Sequence, residues 1–454
     1  MSTPLARQFA AMIVSTDLGA MPRRSLDALR TSITDTLGCA IGAARLPDAP
    51  DAKRFLAALA EPGTVPVIGG AGTAAPGAAA FVNASLARYL DFNDTFVGER
   101  NPAHPSDVIM ALLGLAHHLD APGHRFAEAV AAGYATVEWI NDHCTLMRRG
   151  WDLVTPVAIG AAAGAAKLLD LTTEQAACAM GIAAVDNVTL FQTRVGEISH
   201  WKGLASGSAA RKGLFAAQVA VAGGTGPLTA FEGRNGLFAQ LGCDVKTTEV
   251  APDLWKAAPA RVNLKAFPVQ YFSQAAVEAG MTLHARGITP GRIAGIQVRA
   301  NSELIRGTAA DRSRWNPRTR ETADHSLPFC LAVPILHGTL RIAHFEQATL
   351  DDPRMHALME KIEVVADPEL DRKYPAHLDL LVSARLADGT TVDQCIPAPL
   401  GYATRPLTPQ QAKDKFLDLV EGSPAPAETL WSTAWTLVDQ TSVRAAFTLL
   451  AGGR

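Results

Sequence analysis

The stretch "PRRSLDALRTSITDTLGCAIGA", residues 22–43, carries the pattern on which the fold prediction depends. Apolar side chains recur in it at steps of three or four residues, at Leu26, Leu29, Ile33, Leu37 and Ile41. This spacing places them on one face of a helix, and Pro22 suits the first turn because an amide there needs no helical partner. The stretch therefore predicts an amphipathic helix with one buried face.

Other stretches of the first part are rich in Ala, Leu and Gly and are nearly apolar on all sides. They are residues 76–90, 106–119, 125–140, 156–168, 173–185 and 203–222. Helices of this composition belong in the interior of a helical bundle, where small side chains let neighbouring helices approach closely. Residues 1–264 are therefore predicted to form the first part of a large all-helical domain.

The texture of the sequence changes near residue 265. Segments with alternating or β-branched residues follow, namely 293–300, 361–367 and 377–396, and Asp388-Gly389 in the last of them is typical of a hairpin turn. This pattern predicts a smaller α+β domain over residues 265–397.

The C-terminal residues return to a helical pattern. "PLTPQQAKDKFLDLVEG" is amphipathic, and Thr408 ahead of Pro409 is a suitable N-cap. Residues 398–454 are therefore predicted to rejoin the helical domain. The fold class predicted from the whole chain is mainly α.

Composition restricts the class of protein. The chain has 454 residues, 48 % of them hydrophobic, which is enough for two buried cores. Its 41 basic and 44 acidic residues leave a net charge of −3, so no nucleic-acid partner is predicted. No apolar run is long enough to span a membrane, and no signal peptide is recognisable. The six cysteines form no CxxC pair, which favours a reducing cytoplasm.

Three segments share one layout, in which polar residues stand just before an apolar helix. His104 lies in "DFNDTFVGERNPAHPSD" (91–107), where a helix dipole would keep the imidazole neutral and able to act as a base. Lys202 stands at a predicted helix start, which is unfavourable unless an anion lies nearby. Asp324-His325-Ser326 precedes a third helix. If these segments converge, they form a site for a small polyanion; otherwise His104 is a capping or core residue and Lys202 a solvated one.

Other motifs predict little. The glycine-rich segments 69–80 and 223–227 do not match a nucleotide-binding motif, and no GxSxG elbow is present. His117-His118 lacks a carboxylate at the spacing of a metal ligand. No metal site is therefore predicted.

With these residues in view, the sequence resembles the MmgE/PrpD family, which includes 2-methylcitrate dehydratase, cis-aconitate decarboxylase and iminodisuccinate epimerase. The resemblance covers almost the whole chain. It rests on "DTLGCAIGA" (35–43), "LDFNDT" followed by "AHPSD" (90–107), "AAKLLDLTTEQ" (165–175), "WKGLASGSAARKG" (201–213), "KAFPVQYFSQAA" (265–276), "DHSLPFCLAV" (324–333) and "TRPLTPQQAKDKF" (404–416). It implies a helical domain built from both chain ends, an α+β lid, a cleft between them and a homodimer.

The resemblance also implies functional positions. Asp91 and Thr95 match the polar pair of the DF[ND]DT motif, His104 the HPS histidine, Lys202 the lysine that opens the small-residue helix, and Lys265 the basic residue of K.FP.

The sequence departs from patterns of the family at three places. Gln270 stands where the decarboxylase branch has a histidine, and Phe329 stands where many members have a tyrosine. "WDLVTP" (151–156) lacks the FHP-type histidine typical of the decarboxylases. These differences argue against cis-aconitate decarboxylation.

The resulting hypothesis is a cofactor-free, cytoplasmic hydro-lyase that acts next to a carboxylate of a small hydroxy di- or tricarboxylic acid. His104 is the general base or acid, Asp91 orients it or exchanges a proton with the leaving hydroxyl, and Lys202 with Lys265 stabilises an enediolate-like intermediate. The predicted substrate-binding residues are Thr95, Lys265, Asp94, Ser106, Gln270 and His325.

Alternatives remain within and outside the family. An epimerase would need a second base, for which His325, His200 and Lys202 are the candidates, and a decarboxylase would release carbon dioxide. A non-catalytic protein that binds carboxylates and has kept the family fold is the alternative from another class.

Overall fold

The first stretch analysed forms a helix, Arg23–Ala43, with Pro22 at its N-cap. Leu29, Ile33 and Leu37 on its apolar face are fully buried, as the spacing predicts. The computed structural model describes residues 3–47, 49–196, 198–243 and 249–453, and helices dominate it. The prediction of a mainly α fold is confirmed.

The described helices and strands have the following bounds. The helices are α1 Leu5–Ser15, α2 Arg23–Ala43, α3 Ala52–Leu59, α4 Pro76–Tyr89, α5 Ile109–His118, α6 Gly123–His143, α7 Thr155–Leu168, α8 Thr173–Val185, α9 Trp201–Val221, α10 Leu237–Leu241, α11 Gln274–Ala285, α12 Ser302–Thr308, α13 Arg320–Ala323, α14 Leu327–His337, α15 Gln347–Leu350, α16 Pro353–Met359, α17 Pro368–Lys373, α18 Pro409–Val420, α19 Ala427–Trp435 and α20 Arg444–Leu450. The strands are β1 Val65–Val67, β2 Gly72–Ala74, β3 Asp94–Val97, β4 Pro102–Ala103, β5 Val262–Leu264, β6 Ile293–Ala300, β7 Ile362–Ala366, β8 Leu380–Leu386 and β9 Thr391–Ile396.

Small residues bring α9 into close contact with its neighbours α4 and α7. A Cβ atom placed on Gly207 would overlap the carbonyl oxygen of Phe81 in α4, and one on Gly213 would overlap that of Ala158 in α7. Glycine is therefore required at both positions for the helix backbones to approach this closely. This contact fixes the start of α9, where Lys202 lies.

Replacing Gly207 with alanine is expected to destabilise the protein by about 1–3 kcal/mol, because α4 and α9 must separate. The free energy of unfolding in urea measures the change. Gly203→Ala in the same helix is the matched control, since its added Cβ would lie 3.9 Å from the nearest atom, Cα of Tyr89. That variant is expected to be neutral or slightly stabilised. Equal losses in both variants would contradict the packing explanation.

The first part is not entirely helical, which corrects the all-helical prediction. β1 pairs with β2, and β3 lies between β4 and β5 in a three-stranded antiparallel sheet with Thr95 opposite Asn263. Strands of two to four residues are too short to show an alternating pattern in the sequence, so they could not be recognised there. The β3 strand carries two of the predicted site residues.

The later strands form one sheet in the order β7-β6-β8-β9. β6 and β7 run parallel, the other pairs are antiparallel, and Gly389 adopts a left-handed conformation in the β8–β9 turn. The strands predicted at 293–300, 361–367 and 377–396 are confirmed. With α11 and α14 this sheet forms a second hydrophobic core, which extends from Val269 to Tyr402.

The C-terminal helices pack in the first core. Thr408 and Gln411 form a reciprocal capping box at the start of α18, so the predicted N-cap is confirmed. Phe416 and Leu419 of α18 lie against Gly38 and Gly42 of α2. From this division of the cores we propose domain boundaries near residues 264 and 397.

One pair of cysteines differs from the expectation of reduced thiols. A disulfide joins Cys144, just after α6, to Cys243, just after α10. The two residues are 99 positions apart in the sequence, so spacing alone could not predict the bond. Cys39, Cys178, Cys330 and Cys395 are free.

Every helix in the described ranges is too short or too polar to cross a membrane.

Candidate active site

Asp91 lies at the centre of a buried group of charged side chains. Its φ angle of +48° is in the left-handed region, which is unfavourable for a residue with a side chain, and it is only 1 % exposed. The surrounding structure must hold such a conformation, and these conformations concentrate at functional sites. Lys265 contributes, because its Nζ donates to the Asp91 carbonyl oxygen at 2.7 Å.

Three cations surround the Asp91 carboxylate. Arg88 forms a short ion pair with it, Lys265 Nζ lies 2.6 Å from Oδ1, and Lys202 Nζ lies 3.5 Å from Oδ2. Burial by itself would raise the pKa of Asp91, but the three cations together hold that pKa well below its usual value. Asp91 is therefore an ionised carboxylate that does not donate a proton. This favours the orienting role predicted for it over the proton-exchanging one.

Lys202 also contacts a second carboxylate. Its Nζ lies 3.3 Å from Asp324 Oδ2 and 3.4 Å from His325 Nδ1. The anions that stabilise this lysine at the start of α9 are therefore Asp91 and Asp324 of the protein itself. We call Arg88, Asp91, His104, Lys202, Lys265, Asp324 and His325 the Asp91 cluster.

Within the described residues, one group in this cluster has the composition of a metal site. Ligand atoms of Asp91, Asp324 and His325 lie within 4.8 Å of one another. The Lys202 ammonium lies within 3.5 Å of an atom of each of these three side chains. A protein cation thus already balances the charge that a metal ion would neutralise.

His325 and Asp324 form a dyad. His325 Nδ1 makes a short contact with Asp324 Oδ1, and a carboxylate can only accept, so Nδ1 carries the proton and Nε2 has the lone pair. Burial, with Lys202 nearby, lowers the pKa of His325 to about 4. The imidazole is therefore neutral, with Nε2 available as a proton acceptor 4.0 Å from Asp91 Oδ2.

His104 is also a neutral imidazole, but both of its nitrogens are engaged. Nδ1 donates to the Asp94 carbonyl oxygen at 2.6 Å, and Nε2 accepts from Arg88 Nη2 at 2.8 Å. Burial, Arg88 and Lys265 hold the pKa of His104 well below its usual value. The predicted direction is correct, and its causes are burial and the two neighbouring cations.

Three of the predicted substrate-binding residues support His104. Thr95 Oγ1 lies 3.4 Å from its Nδ1. The Asp94 carboxylate accepts from Ser106 Oγ at 2.6 Å and from Tyr134 OH at 2.7 Å, and burial raises the pKa of Asp94 to about 6. Because Asp94 and Ser106 are occupied with each other, we assign them to positioning rather than to substrate contact.

Gln270 and His200 lie at the edge of the cluster. The backbone N–H of Gln270 donates to the Asp324 carbonyl oxygen at 2.8 Å, and the side-chain Oε1 of Gln270 accepts from the backbone N–H of Phe272 at 2.7 Å. Gln270 therefore braces the segment that carries the dyad. His200 is largely exposed and lies 3.9 Å from Glu321, away from Asp91.

Asp107 lies behind Arg88, with its Oδ1 3.8 Å from Arg88 Nε. Burial raises the pKa of Asp107 to about 7. When an acidic side chain has a higher pKa in the folded than in the unfolded protein, the free energy of unfolding falls as the pH rises. The loss begins near the unfolded pKa of about 4 and is complete once the pH exceeds the folded value.

The Asp107→Asn variant is accordingly expected to exceed the parent's free energy of unfolding by about 1.5 kcal/mol at pH 5 and by about 4 kcal/mol at pH 8. Urea unfolding at both pH values measures this difference. Asp186→Asn, at an exposed position, is the control and is expected to show no such pH dependence. A variant that is less stable than the parent at pH 8 would refute the prediction.

A cleft of about 900 Å³ opens between the two cores. Tyr89 and Leu419 of the first core and Phe345 and Leu350 of the second line it. The side chains of the Asp91 cluster do not line this cleft. It nevertheless adjoins the cluster, because Tyr89 stands two residues before Asp91 in the chain.

Sequence reasoning missed Arg88 as a functional residue. Arg88 is an isolated arginine in the last turn of the apolar helix α4, and it is 4 % exposed. The sequence did carry a signal for Arg88: it is a lone charge in an apolar helix, three residues before an acid. Such charges are rarely buried without a partner.

The chain is similar to known proteins over most of its length. Residues 7–249 match the MmgE/PrpD N-terminal domain and residues 267–437 the MmgE/PrpD C-terminal domain. The 2-methylcitrate dehydratase of Cupriavidus necator is 30 % identical over 421 residues, covering 84 % of this chain and 82 % of the relative. That of Escherichia coli K12 is 29 % identical over 414 residues, with the same coverage.

A relative with a different name is also similar. The cis-aconitate decarboxylase-like protein oryM of Aspergillus oryzae is 25 % identical over 435 residues, covering 88 % of this chain and 87 % of the relative. The two matched domains together span most of the chain, and the chain belongs to the MmgE/PrpD family.

Proposed function

We propose that this protein is a hydro-lyase that removes water from a small hydroxy polycarboxylate such as 2-methylcitrate. The observation that carries the proposal is the cluster itself, in which three cations and two neutral imidazoles surround a permanently ionised aspartate. The names of the dehydratase relatives support the reaction class. Their identity of about 30 % leaves the substrate to experiment.

The elimination begins at a carbon next to a carboxylate. In our proposal His325 Nε2 takes the proton from this carbon, and Asp324 keeps the imidazole in the required tautomer. Negative charge then develops on the adjacent carboxylate oxygens, and the cations of the cluster stabilise it in a buried environment. The carbon–oxygen bond breaks as the double bond forms. The Lys202 ammonium, 3.4 Å from the same imidazole, supplies the proton that turns the leaving hydroxide into water.

His104 can take part only after Arg88 releases its Nε2. A substrate carboxylate is a stronger partner for a guanidinium than a neutral imidazole is, because its hydrogen bonds are charge-assisted. Binding of a polycarboxylate therefore draws Arg88 away and gives His104 a free lone pair. We propose that His104, the base assigned from the sequence, then helps to position the substrate by accepting a hydrogen bond at Nε2. The reaction requires no redox cofactor.

The reaction class is tested by incubating the protein with 2-methylcitrate and related hydroxy acids in deuterated water. Products are followed by NMR and mass spectrometry. We expect an unsaturated tricarboxylate that has lost one water. Deuterium uptake without loss of mass would indicate an epimerase, and release of carbon dioxide would indicate a decarboxylase. Binding of the acids without any turnover would indicate a non-catalytic carboxylate-binding protein.

A further inference from the structure

Arg320 is a buried cation outside the Asp91 cluster. It begins α13 and is 6 % exposed, yet its Nε and Nη2 atoms have no hydrogen-bond partner in the described part of the chain. Buried guanidinium groups normally pair with a carboxylate or a carbonyl oxygen, because an unpaired buried donor destabilises the fold. Arg320 therefore presents hydrogen-bond donors that the protein itself does not use.

Two aromatic rings hold the guanidinium in place. Its Cζ lies 4.7 Å from the ring centre of Phe345 and 5.6 Å from that of Tyr89. Attraction between a cation and the face of a ring fixes the position of the group but leaves the N–H bonds, which lie in the guanidinium plane, unsatisfied. A planar carboxylate fits this fork with two parallel hydrogen bonds.

The position of Arg320 connects it with the reaction site. It lines the cleft of about 900 Å³ together with Tyr89 and His200. Each of these three residues stands two to four positions before a member of the Asp91 cluster in the chain. The same three segments thus form the wall of the cleft and the cluster behind it, and Arg320 lines a space large enough for a small organic acid.

We propose that Arg320 binds a carboxylate of the substrate that lies away from the reacting carbon, and that the cleft is the substrate's entry. This inference rests on the proposed function, which gives the class of substrate. The inference narrows that class to acids with at least two separated carboxylates. Arg320 is then a binding residue that favours polycarboxylates over monocarboxylates.

The test compares Arg320→Met with the parent protein. Methionine keeps an apolar chain between the two rings and removes the donors. The probe is tricarballylate, which has three carboxylates and no hydroxyl to eliminate, and binding is measured by isothermal titration calorimetry. We expect the dissociation constant to rise roughly 10- to 100-fold, in line with the loss of charge-assisted hydrogen bonds. The melting temperature without ligand is expected to stay the same or rise.

Arg318→Met is the matched control. Arg318 lines the same cleft, but its side chain is 64 % exposed and already pairs with Asp351 at 3.4 Å. We expect the dissociation constant of tricarballylate for Arg318→Met to differ less than twofold from that for the parent. Arg320→Lys is the second variant: it keeps the charge without the fork, and it is expected to bind with intermediate affinity.

The outcomes separate this inference from the proposed function. Tricarballylate bound equally well by Arg320→Met and the parent would overturn the role of Arg320, whatever the enzyme does. A lower melting temperature of that variant together with unchanged binding would also overturn it, since Arg320 would then be structural. If the parent binds the probe through Arg320 but dehydrates no hydroxy acid, the inference stands and the hydro-lyase proposal fails.

Discussion

Asp91→Asn is expected to lower kcat at least about 1,000-fold and to destabilise the protein by about 3–5 kcal/mol. The carboxylate binds Arg88, Lys265 and Lys202 at once, so its neutralisation leaves three cations without their common partner in a buried site. The cations repel one another and lose their positions. Because catalysis here depends on preorganised charge, the loss of rate should exceed that for removing a single hydrogen-bond donor.

The substitution isolates the charge, because asparagine tolerates the left-handed conformation that position 91 requires. Asp170→Asn is the matched control, since Asp170 has a φ of +51° but an 80 % exposed side chain. It is expected to change the free energy of unfolding by less than about 0.5 kcal/mol and leave kcat unchanged. Steady-state kinetics and urea unfolding measure both quantities. An active, stable Asp91→Asn variant would remove Asp91 from the centre of the mechanism.

His325→Gln is expected to reduce kcat by about 100- to 10,000-fold with little change in stability, because it removes the proposed proton acceptor. Glutamine has no group that takes up a proton near neutral pH, but its amide can still donate to Asp324. The exchange of substrate hydrogen with deuterated solvent is expected to fall in parallel with kcat, since both depend on the same proton transfer.

His200→Gln is the comparison for this prediction. His200 is another candidate second base from the sequence, and it lies in the cleft wall with its side chain 78 % exposed. It is expected to change kcat less than twofold. If the two variants have equal activity, or if His200→Gln alone is inactive, the assignment of the proton acceptor to the Asp324–His325 dyad is wrong.

The sequence predicted the fold well where patterns are long. Helix α2 was recognised because its apolar residues repeat over about four turns, and strand β6 because apolar and polar residues alternate from Ile296 to Ala300. Strands β3, β4 and β5 were missed because each is shorter than five residues, and because β5, which pairs with β3, lies more than 150 residues later in the sequence. The disulfide was missed for the same reason, since only the fold brings Cys144 near Cys243.

The sequence indicated the segments that contribute to the candidate site more clearly than the role of each residue in it. The sequence left open whether the segments around His104, Lys202 and Asp324 converge, and the structure brings them together around Asp91. Asp94 and Ser106 were expected to bind substrate, but short polar residues look the same in sequence whether they meet a ligand or one another. Arg320 gave no signal, because only the structure shows that its donors are unpaired.

The most direct test of the account is a crystal structure of the protein with tricarballylate bound. We predict one ligand carboxylate paired with Arg320, a second about 3 Å from Arg88 or Lys202, and His325 Nε2 facing the carbon between them. Arg88 should have moved away from His104. A ligand bound elsewhere, with the contacts around Asp91 unchanged, would contradict the claim that this cluster is the active site.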